Sequence, residues 1–327
     1  MSFTTVARNA PLRAYRSKLF APGSRPELFA KAAAGAADVV CLDLEDAVAP
    51  TDKDKARENI VAALNDIDFG NQTVTVRING LDTSWCYRDV IALVERGGER
   101  LDAILIPKVG CAADVYAIDM LVTQASQAVG RKKRIGLEAL IETSLGLQNV
   151  DEIAGSSPRL ESLHFGSADF AASQRMRTTN IGGGNSGYVM LTDAPREKHW
   201  NDLWHYPLFR MITAARAHGL IPIDGPFGDF SDAEGFRAQA TRTAILGCEG
   251  KWAIHPNQVA LANDVFTPPQ KEVERAAAIL AAMKEAQSKG MGAVSLNGVL
   301  IDAASVRQAE AIMGQIKRIA EKGPSAR

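Results

Sequence analysis

The chain has 327 residues, with 37 lysines and arginines against 38 aspartates and glutamates. A balance this close to neutral gives no overall attraction for nucleic acid or for an anionic membrane, so we predict neither as a partner. The four cysteines are far apart and form no Cys/Cys or Cys/His pattern, so they suggest neither a zinc site nor a disulfide framework and fit a reduced, cytoplasmic compartment. No segment approaches the roughly 20 apolar residues of a membrane span, and the N-terminus lacks the apolar core of a signal peptide.

Eight short apolar runs alternate with helical patterns along residues 1–267. In chain order they read SKLFAP, DVVCLDLED, TVTVRING, DAILIPKV, RIGLEALIE, LESLHFG, LIPIDGPFG and GKWAIHP. Nearly continuous apolar character is typical of strands that are covered on both faces. Alternation of strand and helix predicts a parallel sheet, and eight such units predict a closed (β/α)8 TIM barrel. A doubly wound open sheet is the alternative, but no GxGxxG motif follows the first strand.

Two segments lie outside this repeat. An insertion near residues 174–206 is longer than ordinary loops, and its aromatic residues between Trp200 and Tyr206 predict an ordered lid or interface. The segment 268–327 contains a long alanine-rich helix, the hairpin signal Asn297-Gly298 and a further helix. This pattern predicts a helix-hairpin-helix extension to the barrel domain. Because the extension has little core of its own, we expect it to pack on something else, which could be a neighbouring subunit.

Glu142 and Asp169 follow the fifth and sixth predicted strands. The segment between them, TSLGLQNVDEIAGSS, has helical spacing and is expected to form one crossover helix. A strand, a helix and a second parallel strand place both carboxyl ends on one rim, where barrel enzymes keep their active sites. Two carboxylates without a Cys or His cluster suit Mg²⁺, with Mn²⁺ as a substitute ion. The alternative interpretation is that the two residues are ordinary helix caps or surface acids.

Further polar residues gather at the ends of the predicted strands. Arg77 ends the third strand and places a fixed charge with a planar set of donors there, which could also serve in a structural salt bridge. Four other residues at strand ends are expected to support Arg77 and metal-bound water, or to be merely structural: Glu45, Asp46, Lys108 and Asp224.

Several motifs distributed over nearly the whole chain are characteristic of one family. They are LFAPGSRPELFAKA, LDLEDAVAPTDKDKAR, VRINGLDT, ILIPKVG, IETSLG, FGSADFAAS, PIDGPFGDFSD, GKWAIHPNQV and SLNGVLIDAASVRQAE. Together they resemble the citrate lyase β-subunit-like (HpcH/HpaI aldolase) family, and within it the malyl-CoA and β-methylmalyl-CoA lyases. The resemblance implies a (β/α)8 barrel, a Mg²⁺ ion, a coenzyme A thioester and a small α-keto acid as ligands, and a homotrimer or homohexamer.

The resemblance also implies roles for individual residues. Glu142 and Asp169 would bind the metal, and Arg77 would orient the substrate, with Glu45 and Asp46 counted among the catalytic residues. Asp302 would reach the active site of a neighbouring subunit as general acid/base, although by itself it is typical of a cap at the end of a hairpin. Residues implied to contact the coenzyme A thioester, some of which could be solvated or packed instead, are Phe20, Arg25, Lys31, Ala168, Asp169, Ile254 and His255.

The reaction that the resemblance implies is a reversible carbon–carbon cleavage. A 3-hydroxyacyl-CoA such as L-malyl-CoA or β-methylmalyl-CoA would give glyoxylate plus acetyl-CoA or propionyl-CoA. Three alternatives stay open: a malyl-CoA thioesterase, a citrate lyase β subunit that acts on a carrier-bound citryl or citramalyl thioester, and a silent barrel that serves as an assembly module. The long insertion argues against the second, and the presence of every expected site residue type argues against the third.

Overall fold

The computed structural model describes residues 5–6, 10–178, 180–185, 187–191, 198–200 and 202–321. Ten strands precede the C-terminal extension, and eight of them form one parallel sheet. The strands are β1 (Ser17–Pro22), β2 (Val39–Asp43), β3 (Thr73–Arg77), β4 (Ala103–Ile106), β5 (Gly136–Ile141), β6 (Leu160–Phe165), β7 (Val189–Leu191), β8 (Lys198–Trp200), β9 (Ile221–Ile223) and β10 (Lys251–Ala253). Strands β7 and β8 form a separate antiparallel hairpin inside the insertion.

Helices follow most strands of the sheet. Before the extension they are α1 (Phe29–Ala33), α2 (Lys53–Asp66), α3 (Cys86–Arg96), α4 (Ala112–Ala128), α5 (Ser144–Gln148), α6 (Val150–Gly155), α7 (Ser167–Ser173), α8 (His205–Ala217), α9 (Ala233–Leu246) and α10 (Pro256–Val265). None of the helices within the described residues combines the length and apolarity needed to cross a membrane.

The sheet closes into a barrel. Its strand order is β10-β1-β2-β3-β4-β5-β6-β9, and a parallel bridge between Asp224 and Lys251 joins the two ends. Two backbone hydrogen bonds make this junction, from Asp224 N to Gly250 O at 2.8 Å and from Trp252 N to Asp224 O at 3.1 Å. The (β/α)8 barrel expected from the sequence is thereby confirmed, and the open sheet is excluded.

The alternation of side chains between the two faces of a strand explains the continuous apolar runs. It also determines which residues point into the barrel at the ligand side. In β2, Val40 and Leu42 belong to the large core between the sheet and the helices, whereas Val39 and Cys41 belong to a smaller cluster inside the barrel. Successive side chains of a strand point to opposite faces, so both faces need apolar residues. The next inward position of β2, at its carboxyl end, is Asp43, where the barrel interior opens to the ligand side.

The helical connections differ in part from the sequence expectation. The predicted single helix between β5 and β6 is two short helices, α5 and α6, which are separated at Asn149. The Asn149 side chain donates a hydrogen bond to Gly110 O at 2.9 Å, which holds the break against the preceding loop. Helices α7 and α10 were not expected from the sequence. Pro256 at the first position of α10 was an available signal for that helix.

The C-terminal extension consists of α11 (Gln270–Ser288), a hairpin of β11 (Val294–Leu296) and β12 (Val299–Ile301), and α12 (Ala303–Glu321). Asn297 and Gly298 have φ angles of 52° and 79°, as a type I′ turn requires, so the predicted hairpin is confirmed. A small cluster of buried apolar residues joins these elements, including Ile279 and Ile301. Helix α12 also reaches its own barrel, because Arg318 forms an ion pair with Glu249 at 2.7 Å.

Candidate active site

A cavity of about 400 Å³ opens at the carboxyl ends of the barrel strands. This is the face on which (β/α)8 barrels carry their active sites, because the loops after the strands can vary without disturbing the barrel. The cavity brings together seven residues that the sequence had singled out: Phe20, Asp46, Arg77, Glu142, Ala168, Asp169 and Ile254. Seven other predicted residues do not line it: Arg25, Lys31, Glu45, Lys108, Asp224, His255 and Asp302.

A larger cavity of about 1,020 Å³ lies beside the first and shares Ile181 with it. Its two carboxylates are engaged in local turns. Asp229 accepts a hydrogen bond from the backbone N–H of Ser231 at 3.0 Å, and Asp232 accepts one from that of Gly235 at 2.8 Å. Since these acids cap the chain around them, the smaller cavity is the better candidate for chemistry.

Glu142 is placed by two neighbouring loops. It follows β5 directly, is only 2% exposed, and accepts a hydrogen bond at Oε1 from the backbone N–H of Lys108 at 2.8 Å. Gly166 makes room for it on the other side, because a Cβ at this position would lie 2.4 Å from Glu142 Oε2. Asp169 lies within a few residues of the end of β6, as expected from the sequence, in the first turn of α7, and its side chain is 39% exposed.

The electrostatics of this carboxylate pair suit a divalent cation. Burial raises the pKa of the Glu142 carboxyl to about 8, and the negative charges of Asp169 and Glu45 add to the effect. A cation between the carboxylates would remove that repulsion. Within the part of the chain that the structure describes, no group of three or more His, Cys, Asp or Glu side chains has the arrangement of a metal site. Two carboxylates provide hard oxygen donors of the kind that fit Mg²⁺, with the remaining positions left to water and substrate.

Arg77 is fixed by carboxylates at its edge and by aromatic rings at its face. Its Nε and Nη2 donate to the two oxygens of Asp43 at 2.7 and 2.6 Å, and its Nη1 lies 2.8 Å from Glu45 Oε2. The guanidinium carbon lies 5.4 Å from the Phe20 ring centroid and 5.9 Å from that of Trp252. Burial alone would lower the pKa of Arg77, but Asp43 outweighs it and holds the pKa above its ordinary value. The group is a permanent, oriented cation in the cavity wall.

Lys108 connects the carboxylate pair, Glu142 and Asp169, to the partners of Arg77. Its ammonium contacts Glu45, and it lies 3.5 Å from Asp46 Oδ1 and 3.9 Å from Asp169 Oδ1. Burial alone would lower the pKa of Lys108, but the hydrogen bond to Glu45 outweighs it and raises the pKa. Glu45 thus sits between two cations, Arg77 and Lys108. It therefore holds both cations beside the cavity.

Two wall residues were not identified from the sequence. Asp43 belongs to the apolar run of β2 and gave no local signal beyond its position at the strand end. Trp252 lies on β10 with its ring centroid 4.2 Å from that of Phe20, and together they form an aromatic wall of the cavity. The available signals were a polar residue at a strand end and a tryptophan three residues before His255, which was expected to contact the thioester. Neither signal indicates a partner.

The residues predicted to contact coenzyme A occupy different places. Phe20 and Ile254 line the cavity, whereas Arg25 and Lys31 are solvent-exposed on the loop and helix after β1. The Arg25 Nε donates to Glu27 Oε1 at 3.0 Å. His255 caps α10 by accepting from the backbone N–H of Asn257 at 3.3 Å, and its ring stacks on Phe230 with centroids 4.8 Å apart.

Asp302 and Asp224 are engaged elsewhere in the described chain. Asp302 caps α12 by accepting hydrogen bonds from the backbone N–H groups of Ala304 and Ser305 at 2.9 and 3.1 Å. The Ser305 hydrogen bond lowers the pKa of the Asp302 carboxyl. Asp224 was expected either to support Arg77 and metal-bound water or to be merely structural, and it does not line the cavity. It is a buried partner of Lys251, at 2.7 Å, and joins β9 to β10 where the barrel closes.

The fold and the site together define a class of protein. A (β/α)8 barrel with a two-carboxylate pair and a fixed arginine at the carboxyl ends of its strands has the arrangement of a metal-dependent barrel enzyme. The family described as HpcH/HpaI aldolase/citrate lyase matches residues 16–256. The chain belongs to this family, which confirms the resemblance noted in its sequence.

Relatives extend the similarity to nearly the whole chain. An L-malyl-CoA/beta-methylmalyl-CoA lyase from Rhodobacter capsulatus is 58% identical over 315 residues, which cover 96% of this chain and 98% of that protein. A malyl-CoA/beta-methylmalyl-CoA/citramalyl-CoA lyase from Chloroflexus aurantiacus is 38% identical, with 97% and 92% covered. The crystal structure of CitE from Mycobacterium tuberculosis in complex with magnesium, acetoacetate and coenzyme A is 27% identical, with a TM-score of 0.69 and 94% and 98% covered.

Proposed function

We propose that this protein is a Mg²⁺-dependent carbon–carbon lyase. It cleaves a 3-hydroxyacyl-CoA such as L-malyl-CoA or β-methylmalyl-CoA to glyoxylate plus acetyl-CoA or propionyl-CoA, and it catalyses the reverse condensation. The observation that carries the proposal is one cavity in which the carboxylates of Glu142 and Asp169 face an oriented guanidinium, that of Arg77. The similarity to L-malyl-CoA/beta-methylmalyl-CoA lyases over almost the full chain supports the choice of substrate.

Glu142 and Asp169 would hold the Mg²⁺ ion, or Mn²⁺ in its place, and the bound ion would supply a Lewis acid for the oxygens of the α-keto acid portion. Arg77 provides the second positive charge of the cavity. Its edge and face are both held by protein groups, so it offers oriented donors without reorganisation during the reaction. We assign it to the thioester oxygen, where negative charge develops as the carbon–carbon bond breaks.

The cleavage needs two proton transfers. Loss of the proton of the 3-hydroxyl group lets its oxygen become the carbonyl of glyoxylate, and the electron pair of the broken bond passes to the thioester enolate. A proton must then be added to the enolate carbon. We assign this step to Asp302 from a neighbouring subunit. Because the pKa of Asp302 is lowered in the single chain, burial against the neighbouring subunit would have to raise it before proton exchange near neutrality is efficient.

The thioester would be bound along the β1 and β10 side of the cavity. Phe20, Ala168 and Ile254 would contact the acyl and pantetheine portions, since these residues line the cavity. Arg25 and Lys31 are exposed cations after β1, suited to the phosphates of coenzyme A. His255 would contribute from the start of α10. The extension, residues 268–327, would pack on the barrel of the next subunit in a homotrimer or homohexamer.

Product analysis tests this function directly. The purified protein is incubated with L-malyl-CoA and Mg²⁺, and the products are resolved by mass, with an EDTA control and with Mn²⁺ as a second metal. Glyoxylate plus acetyl-CoA is the expected result. Malate plus free coenzyme A would replace the lyase with a thioesterase. Absence of metal-dependent turnover, with β-methylmalyl-CoA and citramalyl-CoA tested as well, would contradict the proposal.

A further inference from the structure

The aromatic wall of the cavity is connected to a buried polar chain inside the barrel. The indole N–H of Trp252 donates a hydrogen bond of 2.9 Å to His164 Nδ1. His164 Nε2 lies 2.9 Å from Ser162 Oγ, and Ser162 Oγ lies 3.4 Å from Glu138 Oε1. Tyr15 OH donates to the same Glu138 oxygen at 2.9 Å. Five side chains from four parts of the barrel thus form one continuous hydrogen-bonded chain.

The direction of this chain is fixed by the tryptophan. An indole N–H can only donate, so His164 Nδ1 must be the unprotonated acceptor and the ring proton must be on Nε2. That Nε2 proton is donated to Ser162 Oγ, whose own proton is then directed at Glu138. The carboxylate at the far end is anchored by the buried Lys18 ammonium, which contacts its other oxygen. His164 Nε2 also lies 3.5 Å from Glu138 Oε1, so the carboxylate is close to the imidazole as well as to Ser162.

The Trp252 end of this hydrogen-bonded chain supports the groups assigned to the reaction. Trp252 packs on Phe20 with ring centroids 4.2 Å apart, and the Arg77 guanidinium lies within 6 Å of both rings. The edge of Arg77 is held by carboxylates, as described above, and its face rests on these two rings. Rotation of the Trp252 ring would therefore move the surface against which Arg77 and the thioester are positioned.

We propose that Trp252 and His164 are positioning residues for the reaction, with the neutral His164 imidazole fixing the Trp252 ring that supports Arg77 and Phe20. Neither residue is assigned a proton transfer to substrate, and His164 is completely buried. The proposal rests on the proposed function, because it places Arg77 at the developing enolate. Misplacement of such a group affects the transition state more than substrate binding.

Two variants of equal side-chain length separate hydrogen bonding from packing at position 164. His164→Gln keeps an amide acceptor for the indole N–H and a donor toward Ser162, whereas His164→Met has no donor and only a weak thioether acceptor. We expect His164→Met to lower kcat about 10-fold or more with little change in KM for the thioester, and His164→Gln to retain most of kcat. Equal loss in both variants would overturn the proposal, since a role in packing alone predicts it.

Trp252→Phe provides a second route if His164→Met does not fold. It retains an aromatic ring but loses the N–H. Its matched control is Trp204→Phe, which removes another buried indole that donates to a backbone carbonyl, Gly183 O, at 2.9 Å. A lowered kcat in Trp252→Phe with unchanged kcat in Trp204→Phe is expected. Similar kcat values in the two variants, at equal folded fractions, would contradict a positioning role.

A measurement without turnover keeps the proposal independent of the substrate assignment. The protein has four tryptophans, and Trp252→Phe identifies the indole N–H resonance of Trp252 by its disappearance. This N–H should exchange slowly with solvent in the wild type and His164→Gln and much faster in His164→Met. Equal rates of indole N–H exchange in the wild type and both variants would contradict the proposal, even if malyl-CoA is cleaved. If the expected exchange pattern is present but the wild type does not cleave malyl-CoA, the result would instead contradict the assignment of malyl-CoA as the substrate.

Discussion

The backbone N–H of Lys108 donates a 2.8 Å hydrogen bond to Glu142 Oε1, which ties the loop after β4 to the carboxylate that follows β5. Lys108 adopts a φ angle of 52°, in the left-handed region that residues other than glycine rarely occupy. The same backbone conformation sends the Lys108 ammonium toward Glu45. One residue therefore orients a candidate metal ligand and a partner of Arg77.

The strain at Lys108 can be measured by comparing two substitutions. Lys108→Gly and Lys108→Ala both remove the ammonium, but only alanine must bear the cost of a positive φ angle. We expect the free energy of unfolding of Lys108→Ala to be about 1 kcal/mol lower than that of Lys108→Gly, as obtained from urea unfolding. Equal stability would mean that the loop relaxes to an ordinary φ angle without its ammonium contacts.

The carboxylate pair should control both metal binding and turnover. Glu142→Gln and Asp169→Asn are expected to abolish the calorimetric signal of Mg²⁺ binding and to lower the rate of cleavage by about 100-fold or more, since even residues that only support a ligand are worth about 10–100-fold. The fold should persist, because a neutral amide at position 142 avoids both the cost of burying a charged carboxylate and the repulsion from Asp169. Full activity in either variant would refute the site.

Arg77→Lys tests whether activity requires a planar guanidinium that is held in place by carboxylates. Lysine keeps the charge but cannot bind Asp43 with two parallel donors or reach Glu45 at the same time. We expect kcat to fall about 100-fold or more. Arg96→Lys is the matched control, because Arg96 also binds a carboxylate with two donors, to Glu58 at 2.9 and 2.7 Å, but on the exposed helix surface. Comparable losses in the two variants would remove the special role of Arg77.

Acid should destabilise the protein in a way that depends on His164. Burial and the nearby Lys18 lower the pKa of His164 to about 4 from an ordinary value of 6.5, although Glu138 opposes this shift. Between these two pH values the unfolded chain therefore binds a proton at His164 that the folded chain does not bind. The contribution of His164 to the free energy of unfolding is fully present above pH 6.5 and is lost as the pH falls toward 4. Between pH 7 and pH 4.5 the wild type should lose about 2 kcal/mol more than His164→Gln. Parallel pH profiles of the unfolding free energy would contradict this assignment.

Subunit mixing decides whether Asp302 acts across an interface. Asp302→Asn and Glu142→Gln should each be inactive as pure oligomers. Mixed oligomers should regain activity if a subunit with an intact Glu142 site receives Asp302 from its neighbour. No recovery is expected if Asp302 serves its own chain, because every subunit then lacks one group. Native mass spectrometry of the mixture verifies that exchange has occurred.

Periodicity and turn chemistry determined much of the fold. Continuous apolar strands alternating with helices specify a closed parallel barrel, and Asn297-Gly298 specifies a tight hairpin, because both signals depend on residues close together in the chain. The same local logic located Glu142, which directly follows a strand. It failed for the helix break at Asn149, whose cause is a hydrogen bond to Gly110 on another loop.

Tertiary structure alone decided which groups meet. Three hydrogen-bonded pairs are far apart in the sequence: Arg77 and Asp43 by 34 residues, Trp252 and His164 by 88, and Tyr15 and Glu138 by 123. These pairs depend on the stagger of strands around the closed barrel, which places inward side chains of different strands at one level. Strand alternation fixes the face on which each residue lies, but it carries no information about the height of that residue relative to distant strands. That height is set only when the barrel closes, and with it the geometry of the site.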